Sequence, residues 1–103
     1  MDNKTLGYAT LAAAGLLGFH AYNQYGVART DAIDRNEKQL DMNAARAATP
    51  IRTLEDRQRF DLSPPAIKYN MAAARYDHTI NSAHRTAMYA GAAALASLYF
   101  LTR

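Results

Sequence analysis

The chain has 103 residues, no cysteine and a formal net charge of +3. That length allows one small domain, and the lack of thiols excludes disulfide, thiolate and zinc–cysteine chemistry. Twelve Lys and Arg are interleaved with nine Asp and Glu, and because acids interrupt every basic run the pattern is not a nucleic-acid footprint.

The charges are unevenly placed. Ten of the twelve bases and eight of the nine acids lie between Arg29 and Arg85. On either side are blocks with no Asp, Glu, Lys or Arg: Thr5 to Ala28, 24 residues, and Thr86 to Thr102, 17 residues. The mean hydropathy of −0.32 averages over this division and hides it. An ionised side chain in a hydrocarbon core costs about 2.5–3.5 kcal/mol on insertion scales. Two charge-free blocks therefore predict an N-terminal transmembrane segment over 1–28 and a C-terminal one over 86–103. Between them lies a charged helical extramembrane region, 29–85, with a break at 49–65. Asp2 dilutes the positive start and no A-x-A site follows Phe19, so the first segment reads as a retained anchor rather than a cleaved signal.

Taken in chain order, Thr5 to Tyr22 is long enough to span, since about 20 helical residues cross roughly 30 Å. Tyr22 and Tyr25 follow where an interfacial aromatic belt is expected. Gly7, Ala14 and Gly18 share one helical face and admit a close neighbour. Val27 to Ala48 is rich in helix formers and has no proline, and Ile33, Leu40 and Ala47 form an apolar stripe at seven-residue spacing. The first helix is thus expected over about 5–48, ending before Pro50.

Thr53-Leu54-Glu55-Asp56 is a capping-box variant that opens a short helix to about Phe60. Ser63 suits an N-cap and Pro64 a first helical position. Beyond them Tyr69, Ala73, Tyr76, Ile80, Ala83 and Ala87 step by fours and threes, the 3.5-residue period of packed antiparallel helices. A second long helix is expected over 64–101. Its charge-free block carries Ala87-x-x-x-Gly91 and Ala93-x-x-x-Ser97, and its 17 residues reach only about 25 Å. That segment is expected to lean on protein neighbours. The fold class that follows is all-α: a membrane helical hairpin of two long helices with a short helix between and both termini on the same side. The plainer alternative is a soluble helical hairpin whose Ala-rich ends form its core.

Few residues carry chemistry. His20 and His84 lie near the loop-side ends of the two blocks, and two imidazoles on facing helices are able to hold a haem iron or line a quinone pocket. The plainer reading is two interfacial residues with polar tips. His78 and His84, six apart, fall on opposite helix faces, which argues against a shared metal. No zincin, phosphate-loop or nucleophile-elbow motif is present, so no catalytic residue, metal or cofactor is expected. Arg29 and Arg85, at the block boundaries, are candidate lipid-headgroup contacts. Arg57, Arg59, Lys68 and Arg75 are able to bind anionic lipid at a membrane surface, but read more plainly as a solvated or partner-paired face beside Glu55, Asp56 and Asp61. Gly7, Ala14, Gly18, Ala87 and Gly91 are the candidate helix-packing residues.

The concentration of Lys and Arg in the middle places that region in the cytoplasm or the mitochondrial matrix. The overall layout resembles the small, cysteine-free, anchored accessory subunits of large energy-converting membrane complexes, a resemblance of layout and not of particular residues. It implies a non-catalytic accessory (supernumerary) structural subunit of the respiratory chain or ATP synthase, in the mitochondrial inner membrane with its central region facing the matrix. The implied partners are other membrane protein subunits and membrane lipids, with no nucleic acid. Two readings stand beside it: a small self-assembling, holin-like membrane pore-former, and a haem- or quinone-contacting membrane subunit using His20 and His84.

Overall fold

The computed structural model describes residues 2–103. Among them the chain forms three helices and no strand: α1 (Asn3–Ala48), α2 (Leu54–Asp61) and α3 (Pro64–Leu101).

Local chemistry fixes each boundary. Asp2 caps α1: its carboxylate accepts from the Thr5 backbone N–H at 2.8 Å and its carbonyl from the Leu6 N–H at 3.1 Å. A side-chain oxygen here satisfies one of the donors that a helix start leaves unpaired. At the other end the Thr49 N–H reaches the Arg46 carbonyl and the Thr49 hydroxyl donates to the Ala45 carbonyl, after which Pro50 stops the helix. Thr53 opens α2 as its sequence predicts, accepting from the Asp56 N–H at 3.1 Å. The reciprocal half of the capping box is displaced by one residue, because Asp56 accepts from the Arg52 N–H instead of from Thr53. Ser63 only partly fits its expected role. Its carbonyl accepts the Ile67 N–H and so starts α3, but its hydroxyl turns back to the Phe60 carbonyl and closes α2. The break expected at 49–65 therefore resolves into two short connections on either side of α2.

The chain divides into two compact units. Unit 1 comprises the residues up to Val27 together with Thr79–Arg103, and unit 2 comprises Ala28–His78. In each, a stretch of α1 runs antiparallel to a stretch of α3.

Unit 1 closes on small residues. Ala21 and Ser97 are buried and Ala83 is fully so. Gly7 meets α3 so closely that an added Cβ would lie 2.5 Å from the Leu101 side chain, and the Ser97 hydroxyl donates to the Gly7 carbonyl at 3.0 Å. Thr10 and Thr86 turn their hydroxyls onto carbonyls of their own helices, which satisfies them without a cross-helix partner. On α1 the inward positions Gly7, Ala14 and Ala21 recur every seven residues, with Thr10, Leu17 and Gln24 between them. That is the period of an antiparallel coiled seam. The Gln24 side-chain oxygen is buried in it without a hydrogen-bond partner.

Unit 2 continues the period with Ala28, Arg35 and Met42 facing inward. The stripe of Ile33, Leu40 and Ala47 faces out, with Ile33 and Leu40 more than half exposed. The seam lies two positions along from it because Ala28 is small and the Arg35 guanidinium stacks 4.2 Å from the centre of the Tyr76 ring, an arrangement that buries the Arg stem while leaving its charge wet. The periodic set on α3 behaves as its spacing predicts: Tyr69, Ala73, Tyr76, Ile80, Ala83 and Ala87 are all at least half-buried. Phe60 is the buried residue of α2, in a cleft that also touches Ala45, Pro50 and Pro65.

The two predicted membrane spans are not supported. No helix among the described residues is long and apolar enough to cross a membrane. The seam positions are mostly Gly, Ala, Thr, Gln and Ser, which add little or nothing to insertion, and His20 and the tyrosines dilute the remainder.

Two measurable outcomes follow from these contacts. Phe60→Ala removes the anchor of α2 and is expected to cost about 3 kcal/mol, as for other buried Phe truncations. Limited trypsin digestion should then cut at Arg52, Arg57 and Arg59 faster than in the parent, and equal rates would show that Phe60 does not hold α2. At the start of α1, hydrogen bonds from the Thr5 backbone and hydroxyl hold the Asp2 carboxyl below its ordinary value. A depressed carboxyl stabilises the fold above its unfolded value, about 3.9, and the gain is lost as pH falls through the lowered one. Cα shifts of Asn3 to Leu6 should accordingly lose helical character in acid, and Asp2→Ala should show that loss already at neutral pH.

Candidate functional site

The surface of unit 1 reverses the usual arrangement of a water-exposed helix pair. Small and hydroxyl-bearing residues make up most of its seam, with Leu17 and Ile80 as larger members, while most of its large apolar residues point outward. Leu16, Phe19, Tyr22, Met88 and Leu95 are each more than two-thirds exposed. Tyr8, Tyr89, Leu98 and Tyr99 add to the same surface. No Asp, Glu, Lys or Arg interrupts it from Thr5 to Ala28 or from Thr86 to Thr102. Exposed apolar residues in such number make this surface a candidate contact. Interfaces between helices in membranes show the same inversion, with small residues and hydroxyl–carbonyl bonds inside and bulky residues outside.

The expected packing residues divide between two surfaces. Gly7 is buried in the seam, and Ala14 and Ala87 are half-buried there. Gly18 and Gly91 are exposed, with nothing of this chain within 4 Å of an added Cβ. Gly15 is equally open, so α1 presents a Gly15–Gly18 notch flanked by Leu11 and Tyr22 on its outer side. Arg29, in unit 2, and Arg85, in unit 1, are both exposed.

The two histidines have different surroundings. His20 is exposed. The His84 Nδ1 lies 2.7 Å from the Tyr25 hydroxyl, and the two rings meet edge-to-face with centroids 5.4 Å apart. Either tautomer of His84 serves this bond. No hydrogen bond or ring contact joins His20 to His84 among the described residues. Nor do three or more His, Asp or Glu side chains gather as a metal-binding group there. The Tyr25–His84 pair is the contact that sequence reading missed. Tyr25 looks like one member of an aromatic belt, and a pairing across two helices leaves no trace in local spacing.

The charged residues of unit 2 pair among themselves. Arg59 holds Glu55 one turn away at 3.1 Å, with both side chains three-quarters exposed, so the pair contributes little. Asp34 is shared between Lys38 at 3.7 Å and Arg75 at 3.6 Å.

Comparison with known proteins finds no matching family model, curated protein or solved structure.

Tyr25→Phe keeps the ring contact and deletes the hydrogen bond. Because the pair is exposed, the expected loss is about 0.5 kcal/mol, at the low end for a hydrogen bond. Chemical denaturation followed by far-UV circular dichroism would detect it, and a loss above about 2 kcal/mol would show that the pair is desolvated in the working protein.

Proposed function

We propose that this chain is a non-catalytic structural subunit of a multi-subunit membrane complex, in which unit 1 is enclosed by helices of neighbouring subunits. The observation that carries the reading is the inversion of unit 1: a small, hydrogen-bonded seam inside and a charge-free surface of Leu, Phe, Tyr and Met outside. Water is a poor neighbour for that surface. Since no described helix is long and apolar enough to cross a membrane, the proposal surrounds unit 1 with protein as well as lipid and does not require it to span alone.

The open glycine notch supports protein neighbours in particular. Gly15 and Gly18 make no close contact within the chain, and a helix pays in stability for each interior glycine, about 1 kcal/mol relative to Ala. A partner backbone packed in the notch offsets that cost. Unit 2 holds most of the acids and bases and suits the aqueous boundary, where Arg29 and, from unit 1, Arg85 reach lipid headgroups. The assignment to an energy-converting complex of the mitochondrial inner membrane, with unit 2 on the matrix side, rests on the resemblance of layout.

Gly18→Leu separates this reading from a free-standing helical protein. The position has open space, so the variant is expected to fold with unchanged or higher helicity. Expressed in its native membrane, it is expected to fail to co-migrate with the larger complex on native gels. Incorporation at the parental level would show that no partner helix occupies the notch, and a ladder of homo-oligomers in place of co-migration with unrelated chains would favour a pore-former.

A further inference from the structure

Two prolines directly follow a hydroxyl-bearing residue, at Thr49-Pro50 and Ser63-Pro64, and the two steps bracket α2. A Thr-Pro or Ser-Pro step is the pair that proline-directed protein kinases read. The proline brings no N–H and favours an extended residue before it, the form in which a kinase cleft takes its substrate. The sequence offers both steps equally, and the structure separates them. Ser63 lies in the short connection 62–63 between α2 and α3. Its hydroxyl is part-buried and donates to the Phe60 carbonyl, while its own carbonyl starts α3. Drawing Ser63 into a cleft disrupts the end of one helix and the start of the next. Thr49 instead heads the longer connection 49–53 between α1 and α2. Thr49 and Pro50 are both exposed. The Thr49 hydroxyl donates to the Ala45 carbonyl, one turn back on its own helix, a local bond at the surface that yields without unpacking a core. Thr53, the third hydroxyl beside α2, is spent as its N-cap and precedes Leu54 rather than a proline.

The charges beside Thr49 suit the same chemistry. Arg46 and Arg52 stand three residues before and three after it, and both are exposed. Neither guanidinium takes part in an ion pair among the described residues. Free cations at fixed spacing from an acceptor hydroxyl are the kind of charge pattern by which kinases select substrates.

We propose that Thr49 is a phosphorylation site for a proline-directed protein kinase, presented by the connection between α1 and α2. The Thr49 Oγ1 attacks the γ-phosphorus of a nucleoside triphosphate. The new O–P bond forms as the bond to the bridging oxygen breaks, the nucleoside diphosphate leaves, and the hydroxyl proton passes to the catalytic carboxylate of the kinase. The product carries a charge of about −1.5 to −2 at pH 7. Arg46 and Arg52 are the guanidiniums placed to receive its oxygens. The inference concerns unit 2 and does not rest on the reading of unit 1.

The test treats the folded full chain with a cyclin-dependent protein kinase and ATP labelled in its γ-phosphoryl group, and maps the label by mass spectrometry. Label is expected at Thr49 and not at Ser63. Thr49→Ala should abolish it, Thr49→Ser should retain it and Ser63→Ala should leave it unchanged. Arg52→Gln should slow labelling, whereas Arg57→Gln, which removes an equal charge from α2, should not. Mapping on the parent chain holds whether or not a variant folds. No label on the folded chain, label at Ser63 in place of Thr49, or equal labelling of Thr49→Ala and the parent overturns the proposal.

Discussion

The structure depends on how closely α1 and α3 approach within each unit. Ala21 and Ala83 in unit 1, and Ala28, Ala66 and Ala72 in unit 2, are buried. Gly7 takes this to its limit, where even a methyl group would displace Leu101. Close approach brings the Ser97 hydroxyl within reach of a helix carbonyl and lets many small dispersion contacts accumulate. Small seam residues bury little area, however, at about 25 cal/mol per Å². Two long helices that meet through Ala and Gly have a thin core and gain from neighbours.

The same constraint determines where the large side chains go. A unit 1 seam made mostly of small residues leaves most of its Leu, Phe, Tyr and Met on the outer surface. Within Thr5–Ala28 and Thr86–Thr102 no Asp, Glu, Lys or Arg accompanies them, and the outcome is a largely apolar surface. In unit 2 the charges follow them outward, and ion pairs and an Arg–Tyr stack replace apolar contact. The contrast between the units therefore lies in what their outer surfaces carry, since the inward period of α1 is the same in both.

Much of the helical layout was legible in the sequence, because its signals are local. Pro50 and the Ser63-Pro64-Pro65 step limit the long helices, and Thr53 with Asp56 marks the start of α2; each acts on its own backbone or within one turn. The seam on α3 was also legible, since Tyr69, Tyr76 and Ala83 repeat with the period of packed helices. On α1 the same reasoning chose the wrong stripe. Ile33 and Leu40 carry that stripe, yet Ala28, Arg35 and Met42 occupy the seam, where Arg35 stacks on Tyr76 of the facing helix. Charge-free length likewise suggested spans that Ala, Gly and Thr are not apolar enough to make.

By itself the sequence determined three helices, their ends and the separation of charged from uncharged stretches, since capping, proline and hydropathy operate over a few neighbouring residues. Only the tertiary structure decided which glycines pack, that Gly7 is closed and Gly18 open, and that His84 pairs with Tyr25. Each of those depends on the rotation of one helix against another. That rotation is set by the sum of all seam contacts, and no single spacing in the chain encodes it.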